Sequence, residues 1–398
     1  MQKIAARVFC LLSLFLACGI LPAQSRRSRP PENPSDPEYR RRTEYLQQAA
    51  LLAASMSRKT LCAQVLLTGV DGREAVSERT RRLLSDVPAG GIALFAYNIS
   101  SDPEKTRVLI EELSRCISGV SLPPFIAADQ EGGAVQRIRG KAALPPPLSY
   151  WEKFSTMPET AVAAIFAAVE QEAAGAGREL RRIGITLNLA PVAEVLTAGN
   201  QPFLKNRSYG PDAVFAVSAA AAFIRGMESA GVASSLKHFP GNSAADPHRN
   251  KTVLNMSGAE LETLTAPFGE LIHGEAPAAV MVSHVIVPAW DSKPCSLSPA
   301  AVRRLREMGF TGIIIADDFT MAAAGSPPEI CAVEALAAGV DMIITWPGSL
   351  QKFHQAILSA IEAGKLSEKQ IREAAERIIY QKLRYGVILD LFKNPVAS

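Results

Sequence analysis

The sequence predicts an α/β fold, a single-domain TIM-type (β/α)8 barrel, and three observations carry that expectation. From residue 43 onward, eight short apolar runs rich in Ile, Val and Leu alternate with longer stretches of helical periodicity. They lie at 64–70, 91–96, 124–128, 185–190, 233–236, 279–282, 312–316 and 340–345. The runs are continuously apolar, as in parallel strands buried on both faces. Polar residues gather just after them: Asn98, then Asp129 and Glu131, Lys237 and His238, His284, and Asp317 with Asp318. A (β/α)8 barrel keeps its chemistry at that end of its strands. The competing doubly wound sheet wants a phosphate-binding glycine pattern after its first strand, and the VDGRE that begins at Val70 is not one. No Pro/Gly/Ser-rich linker divides residues 43–398, so that stretch reads as one domain.

In chain order, residues 1–23 read as an export signal. Lys3 and Arg7 supply its charge, and residues 8–17 (VFCLLSLFLA) form an apolar stretch too short to span a bilayer comfortably. Cleavage after Ala23 is one outcome. The sequence Leu16-Ala17-Cys18-Gly19 offers another, a loose bacterial lipobox in which Cys18 is lipidated and anchors the protein to a membrane. Residues 24–42 read as a disordered tether. The expected location is thus the periplasm or a membrane surface.

Helix starts punctuate the rest. Asp102-Pro103 pairs an N-cap with a first-turn proline, Ser257 to Glu260 fits a capping box, and Ser298-Pro299 opens a further helix. The last helix is expected from Ser367 to Gly386, with Ile371, Ala374, Ala375, Ile378, Ile379 and Leu383 on one apolar stripe.

With 398 residues, 48% of them hydrophobic, the chain has ample material for a large core. Residues 1–42 hold eight basic and three acidic side chains, a balance of +5 within a total of +3, so the remainder carries −2. A near-neutral body argues against a nucleic-acid surface. Four cysteines lie beyond the signal, Cys62, Cys116, Cys295 and Cys331; their wide spacing is no metal-site pattern, and buried free thiols are expected. No metal or organic cofactor is implied, Gly132-Gly133 reading as a tight turn, and the protein is expected to be a monomer.

The chemistry centres on residues 237–250, KHFPGNSAADPHRN. Pro247 drives Asp246 toward extended backbone, where residues two apart point the same way, so Asp246 is in reach of the His248 ring. A carboxylate on one imidazole nitrogen fixes the tautomer and frees the other for proton transfer. A solvated loop closed by an Asx turn is the other reading of the same spacing. Asp317 is the first polar residue after the apolar run at 312–316 and the candidate for an inward-facing carboxylate, while Asp318 is read as a cap for the following helix. A strand-end Asp also serves as a metal ligand or a structural cap. Combined with an oriented His, it points to two-step displacement, the carboxylate attacking and the His giving, then removing, a proton.

Several motifs in order resemble the single-domain bacterial β-N-acetylglucosaminidases of glycoside hydrolase family 3: ALFAYNI (93–99), DQEGGAVQR (129–137), NLAPVAEV (188–195), NRSYG (206–210), KHFPG (237–241), the Asp246-Pro247-His248 triplet, SHVIVPAWD (283–291), IIADDFTM (314–321) and AAGVDMIIT (337–345). The resemblance covers roughly residues 45–390. It implies a retaining exo-glycosidase that removes terminal β-linked N-acetylglucosamine from cell-wall muropeptides or related glycans. It implies Asp317 as nucleophile, His248 as acid/base oriented by Asp246, and Asp129, Arg137, Arg207, Lys237 and His238 as the residues that bind the sugar. Those arginines and Lys237 would otherwise serve as partners for neighbouring acids. Four departures stand out. Asn242 replaces the usual His after KHFPG, the loop from Gly241 to Asp246 is about two residues shorter with Pro247 in place of Ser, and Glu194 stands where Asp is common. Other readings remain: a family member using phosphate as acceptor, a Schiff-base aldolase built on Lys237, or an exported glycan-binding protein that has lost catalysis.

Overall fold

The structure, a computed structural model, describes residues 35–158, 162–321, 324 and 327–388. The signal segment, Cys18 and most of the tether lie outside the described residues. All eight apolar runs form strands: β1 (Leu66–Gly69), β2 (Gly91–Leu94), β3 (Phe125–Ala128), β6 (Leu187–Asn188), β7 (Ala233–Phe239), β8 (Ala279–Val282), β9 (Ile313–Ala316) and β10 (Met342–Thr345). They pair in parallel, each with its neighbours in sequence, and β1 closes on β10. The two remaining strands, β4 (Gln130–Gly132) and β5 (Val135–Gln136), make a small antiparallel hairpin just beyond β3. Helices separate the barrel strands, so the fold is a single-domain (β/α)8 barrel. Most of the strand residues that carry no chemistry are buried Ile, Leu, Val and Ala, as two covered faces demand.

The capping signals hold. Asp102 accepts from the Glu104 amide at 2.9 Å, and Ser257 and Glu260 exchange capping-box hydrogen bonds. Two boundaries differ from expectation. The helix Pro37–Ser55 takes up residues 37–42 of the expected tether, because Asp36 caps it at the Glu38 amide and Pro37 occupies its first turn. Strand β7 does not stop at Leu236 but continues to Phe239, its pairing with β8 resuming at Phe239 with Val282 after an irregularity. Cys62 and Cys295 are buried free thiols, Cys116 is a half-buried one, and Cys331 is buried.

The last helix, Glu368–Arg384, lies across the end of the barrel where the strands begin. Arg377 reaches Asp341 just before β10, Lys382 reaches Gln64 just before β1, and Arg384 reaches the Ala276 carbonyl ahead of β8. The helix Pro37–Ser55 packs on it in antiparallel fashion, with Arg372 donating to the Ala53 carbonyl at 2.7 Å and Glu38 close enough to Arg384 for their charges to interact.

Lys382 is fully buried there, and its Nζ donates to Gln64 Oε1 at 2.9 Å. Among the described residues no carboxylate pairs with it. Burial lowers its pKa from 10.5 to about 7. The unfolded chain therefore holds the extra proton between pH 7 and 10.5, and stability from this site rises with pH across that window. Lys382→Met is expected to stabilise the protein at pH 7 by a few kcal/mol, on the order of what removing an unpaired buried charge returns. Thermal melts should show the gain shrinking by pH 10.

Candidate functional site

The strand ends at the opposite face of the barrel bring most of the sequence-selected residues together. Beyond β3, the chain turns at Gly132 and Gly133, both at positive φ, and a Cβ on Gly132 would sit 2.3 Å from the Pro145 carbonyl oxygen. This hairpin returns Arg137 to Asp129, where Nη2 donates to Oδ2 at 2.8 Å. Lys237, inside β7, places Nζ 2.7 Å from Asp129 Oδ1 and 2.7 Å from Glu131 Oε1. Arg207, from the loop after the short helix Gln201–Leu204, grips Glu131 with Nε and Nη2, each at 2.8 Å. Three cations and two carboxylates thus alternate in one network. Burial works against ionisation of both acids, but Lys237 and Arg137 outweigh it at Asp129 and hold its carboxyl well below the usual range. Lys237 and Arg207 do the same for Glu131, which falls to about 2. The same carboxylates raise Lys237 in spite of its burial.

His238 belongs to a second group. Its Nδ1 donates to Glu194 Oε1 at 2.8 Å, with Glu194 completely buried. That leaves Nε2 as the ring atom available to a ligand. The peptide bond joining Lys237 to His238 is cis.

On the far side, Asp317 follows β9 and is partly exposed. Its Oδ1 accepts from the Asp318 amide at 2.9 Å, and no described cation lies within ion-pair distance of it. Asp318 caps no described α-helix. It accepts from the Thr320 amide and from Trp346 Nε1, both at 2.9 Å, and the next described α-helix begins at Pro328 with Pro327 as N-cap. Trp346 in turn stacks on Phe95 at 4.5 Å between ring centroids. His284 is fully buried beneath this turn, and burial lowers its pKa, with Asp317 partly opposing. A backbone carbonyl only accepts, so His284 Nε2 carries the proton shared with the Asp318 carbonyl at 2.9 Å, and Nδ1 accepts from Ser296 at 2.7 Å. Asn98 is structural: its amide holds the Val70 and Gly72 carbonyls.

Asp246 and His248 sit on the exposed loop after β7. Asp246 Oδ1 accepts from both the His248 amide at 3.0 Å and His248 Nδ1 at 2.7 Å. The Asx turn and the carboxylate–imidazole pair, posed as alternatives from the spacing, coexist on one oxygen. The loop is pinned downstream, where Thr252 and Leu254 bond the backbone of Ile286. Among the described residues, no group of three or more His, Cys, Asp or Glu side chains is arranged to hold a metal ion.

The profile of the glycosyl hydrolase family 3 N terminal domain matches residues 56–380. The chain belongs to glycosyl hydrolase family 3. A β-hexosaminidase from Stenotrophomonas maltophilia is 35% identical over 289 residues, covering 70% of this chain and 82% of its own. One from Methylococcus capsulatus is 35% identical over 313 residues, covering 75% and 87%. Among solved structures, a family 3 β-N-acetylglucosaminidase from Paenibacillus superposes with a TM-score of 0.76 at 29% identity, over 84% of this chain and 63% of that longer one. NagZ from Neisseria gonorrhoeae in complex with N-trifluoroacetyl-D-glucosamine gives 0.65 at 25% identity, over 79% of this chain and 96% of that one. Together these make the chain a glycoside hydrolase of the β-N-acetylhexosaminidase type, with a glycan as substrate.

Proposed function

We propose that the protein is a retaining exo-β-N-acetylglucosaminidase acting on terminal N-acetylglucosamine of muropeptides released in cell-wall turnover. Asp317 attacks the anomeric carbon and the leaving oxygen takes a proton from His248. His248 then removes a proton from the water that hydrolyses the glycosyl ester, so configuration is retained. Asp246 holds the His248 tautomer through both steps. Asp129, Arg137, Arg207, Lys237 and His238 receive the sugar hydroxyls and the acetamido group.

The observation that carries this reading is the free oxygen of Asp317. Asp129, Glu131, Glu194 and Asp318 each have both carboxylate oxygens engaged by protein donors, whereas among the described residues Asp317 has a donor on one oxygen only. The crossing of a cationic cluster with an orphaned Arg137 Nε also fits a site that waits for oxygen acceptors. The neighbour crystallised with an N-acylated glucosamine supports a 2-acylamino sugar here. The apolar, basic leader supports export, with Cys18 as the lipid anchor.

Aryl β-glycosides that differ only at the 2-position test the substrate class. The 2-acetamido sugar should be turned over and the 2-hydroxy sugar essentially not; equal rates would sink the assignment. His248→Ala tests the acid/base. It should cost about a hundredfold on a substrate with a poor leaving group and far less on an activated aryl glycoside. Azide, a nucleophile that needs no base, should partly restore the activated reaction. Equal loss on both substrates without azide rescue would make His248 structural.

A further inference from the structure

We propose that Glu194 is a positioning residue that ties His238, in the sugar-binding set, to Asn242, where the loop bearing Asp246 and His248 departs from the barrel. The proposal rests on the functional reading above and adds a part to it.

Glu194 is buried among groups that all point at it. Oε1 accepts from His238 Nδ1 at 2.8 Å and from Asn242 Nδ2 at 2.8 Å, and Oε2 accepts from the Asn242 amide at 2.6 Å. The His238 amide adds a longer contact of 3.3 Å to Oε1. No described Lys or Arg lies within ion-pair distance of it, so these donors alone replace its lost water. One carboxylate therefore sets two things at once. It fixes the His238 ring, leaving Nε2 for the sugar, and it fixes the backbone from which the acid/base loop starts.

Reach decides these contacts. Glutamate is one methylene longer than aspartate, and the asparagine amide reaches less far than an imidazole. A shorter acid at 194 would draw away from Asn242, and a longer donor at 242 would span the gap again.

The test is a double-mutant cycle. Glu194→Asp should lose about tenfold in kcat/KM on a poor leaving group, with a raised KM because His238 is no longer held. Asn242→His alone should also lose activity on that substrate, and added to Glu194→Asp it should recover most of the loss. Asn242→Ala should lower kcat for poor leaving groups and leave KM unchanged. Amide hydrogen exchange across residues 243–250 should quicken in Glu194→Asp and in Asn242→Ala and return toward wild type in the double variant. Additive kinetic losses, or exchange that stays unchanged in all three, would overturn the tie. The exchange measurement needs no turnover, so a wild-type protein inert on N-acetylglucosaminides would count against the function and leave the tie still decided.

Discussion

Asp317→Asn is expected to give a folded protein whose turnover of an aryl N-acetyl-β-glucosaminide has fallen at least about a thousandfold, the scale of losing a covalent nucleophile. Asparagine keeps the shape and the oxygen that accepts from the Asp318 amide, so the turn after β9 survives. What it lacks is the charge that, in the proposed mechanism, attacks the anomeric carbon. The neighbouring Asp318 cannot take over, since its oxygens are committed to the Thr320 amide and the Trp346 indole. A fluorosugar that forms the glycosyl ester quickly and releases it slowly should accumulate on the peptide containing Asp317. Fragmentation that puts the label on Asp318, or unchanged turnover in the variant, would overturn the assignment.

Lys237→Met should have the next largest effect, and on folding as well as activity. Lys237 is the shared cation between two buried acids, so its removal leaves Asp129 and Glu131 facing each other with one arginine apiece. Breaking a buried ion pair by deleting one partner costs about 3–5 kcal/mol. The sign with pH follows from the shifts. Both carboxyls are held low in the folded protein, Glu131 at about 2, so the stability they bring is present above their unfolded values and drains away as pH falls toward 2. Lys237, raised by the same partners, adds stability that persists until pH climbs through its folded value. Urea melts should show the largest gap between wild type and variant near neutrality and a narrower one at pH 3. An equal gap at both would mean that the loss is one of packing and not of charge.

The barrel was legible because each strand needs two apolar faces, and no other use of eight such runs fits the chain. Helix starts were legible wherever a cap stood next to a proline. The boundary at residue 43 missed the same Asp-Pro signature at Asp36-Pro37 that was decisive at Asp102-Pro103, because the surrounding arginines and prolines made a tether the natural reading. At the site, local geometry could be read where partners are close in sequence, as for Asp246 and His248. Partners far apart could not. Glu131 was noted only as a polar strand end, yet it anchors Arg207 from 76 positions away. Glu194 looked like a bare substitution until Asn242 was seen against it. Trp346 gave no signal, since only the pairing of β10 with β9 brings it beside Asp318.

The helix that stoppers the barrel also gives the molecule a heading. Pro37 lies near Arg384, on the face where strands begin, whereas Asp317, Lys237 and the Asp246–His248 loop lie where they end. The described chain thus enters the body at its stern, and its point of entry and the candidate site stand at opposite ends of the barrel.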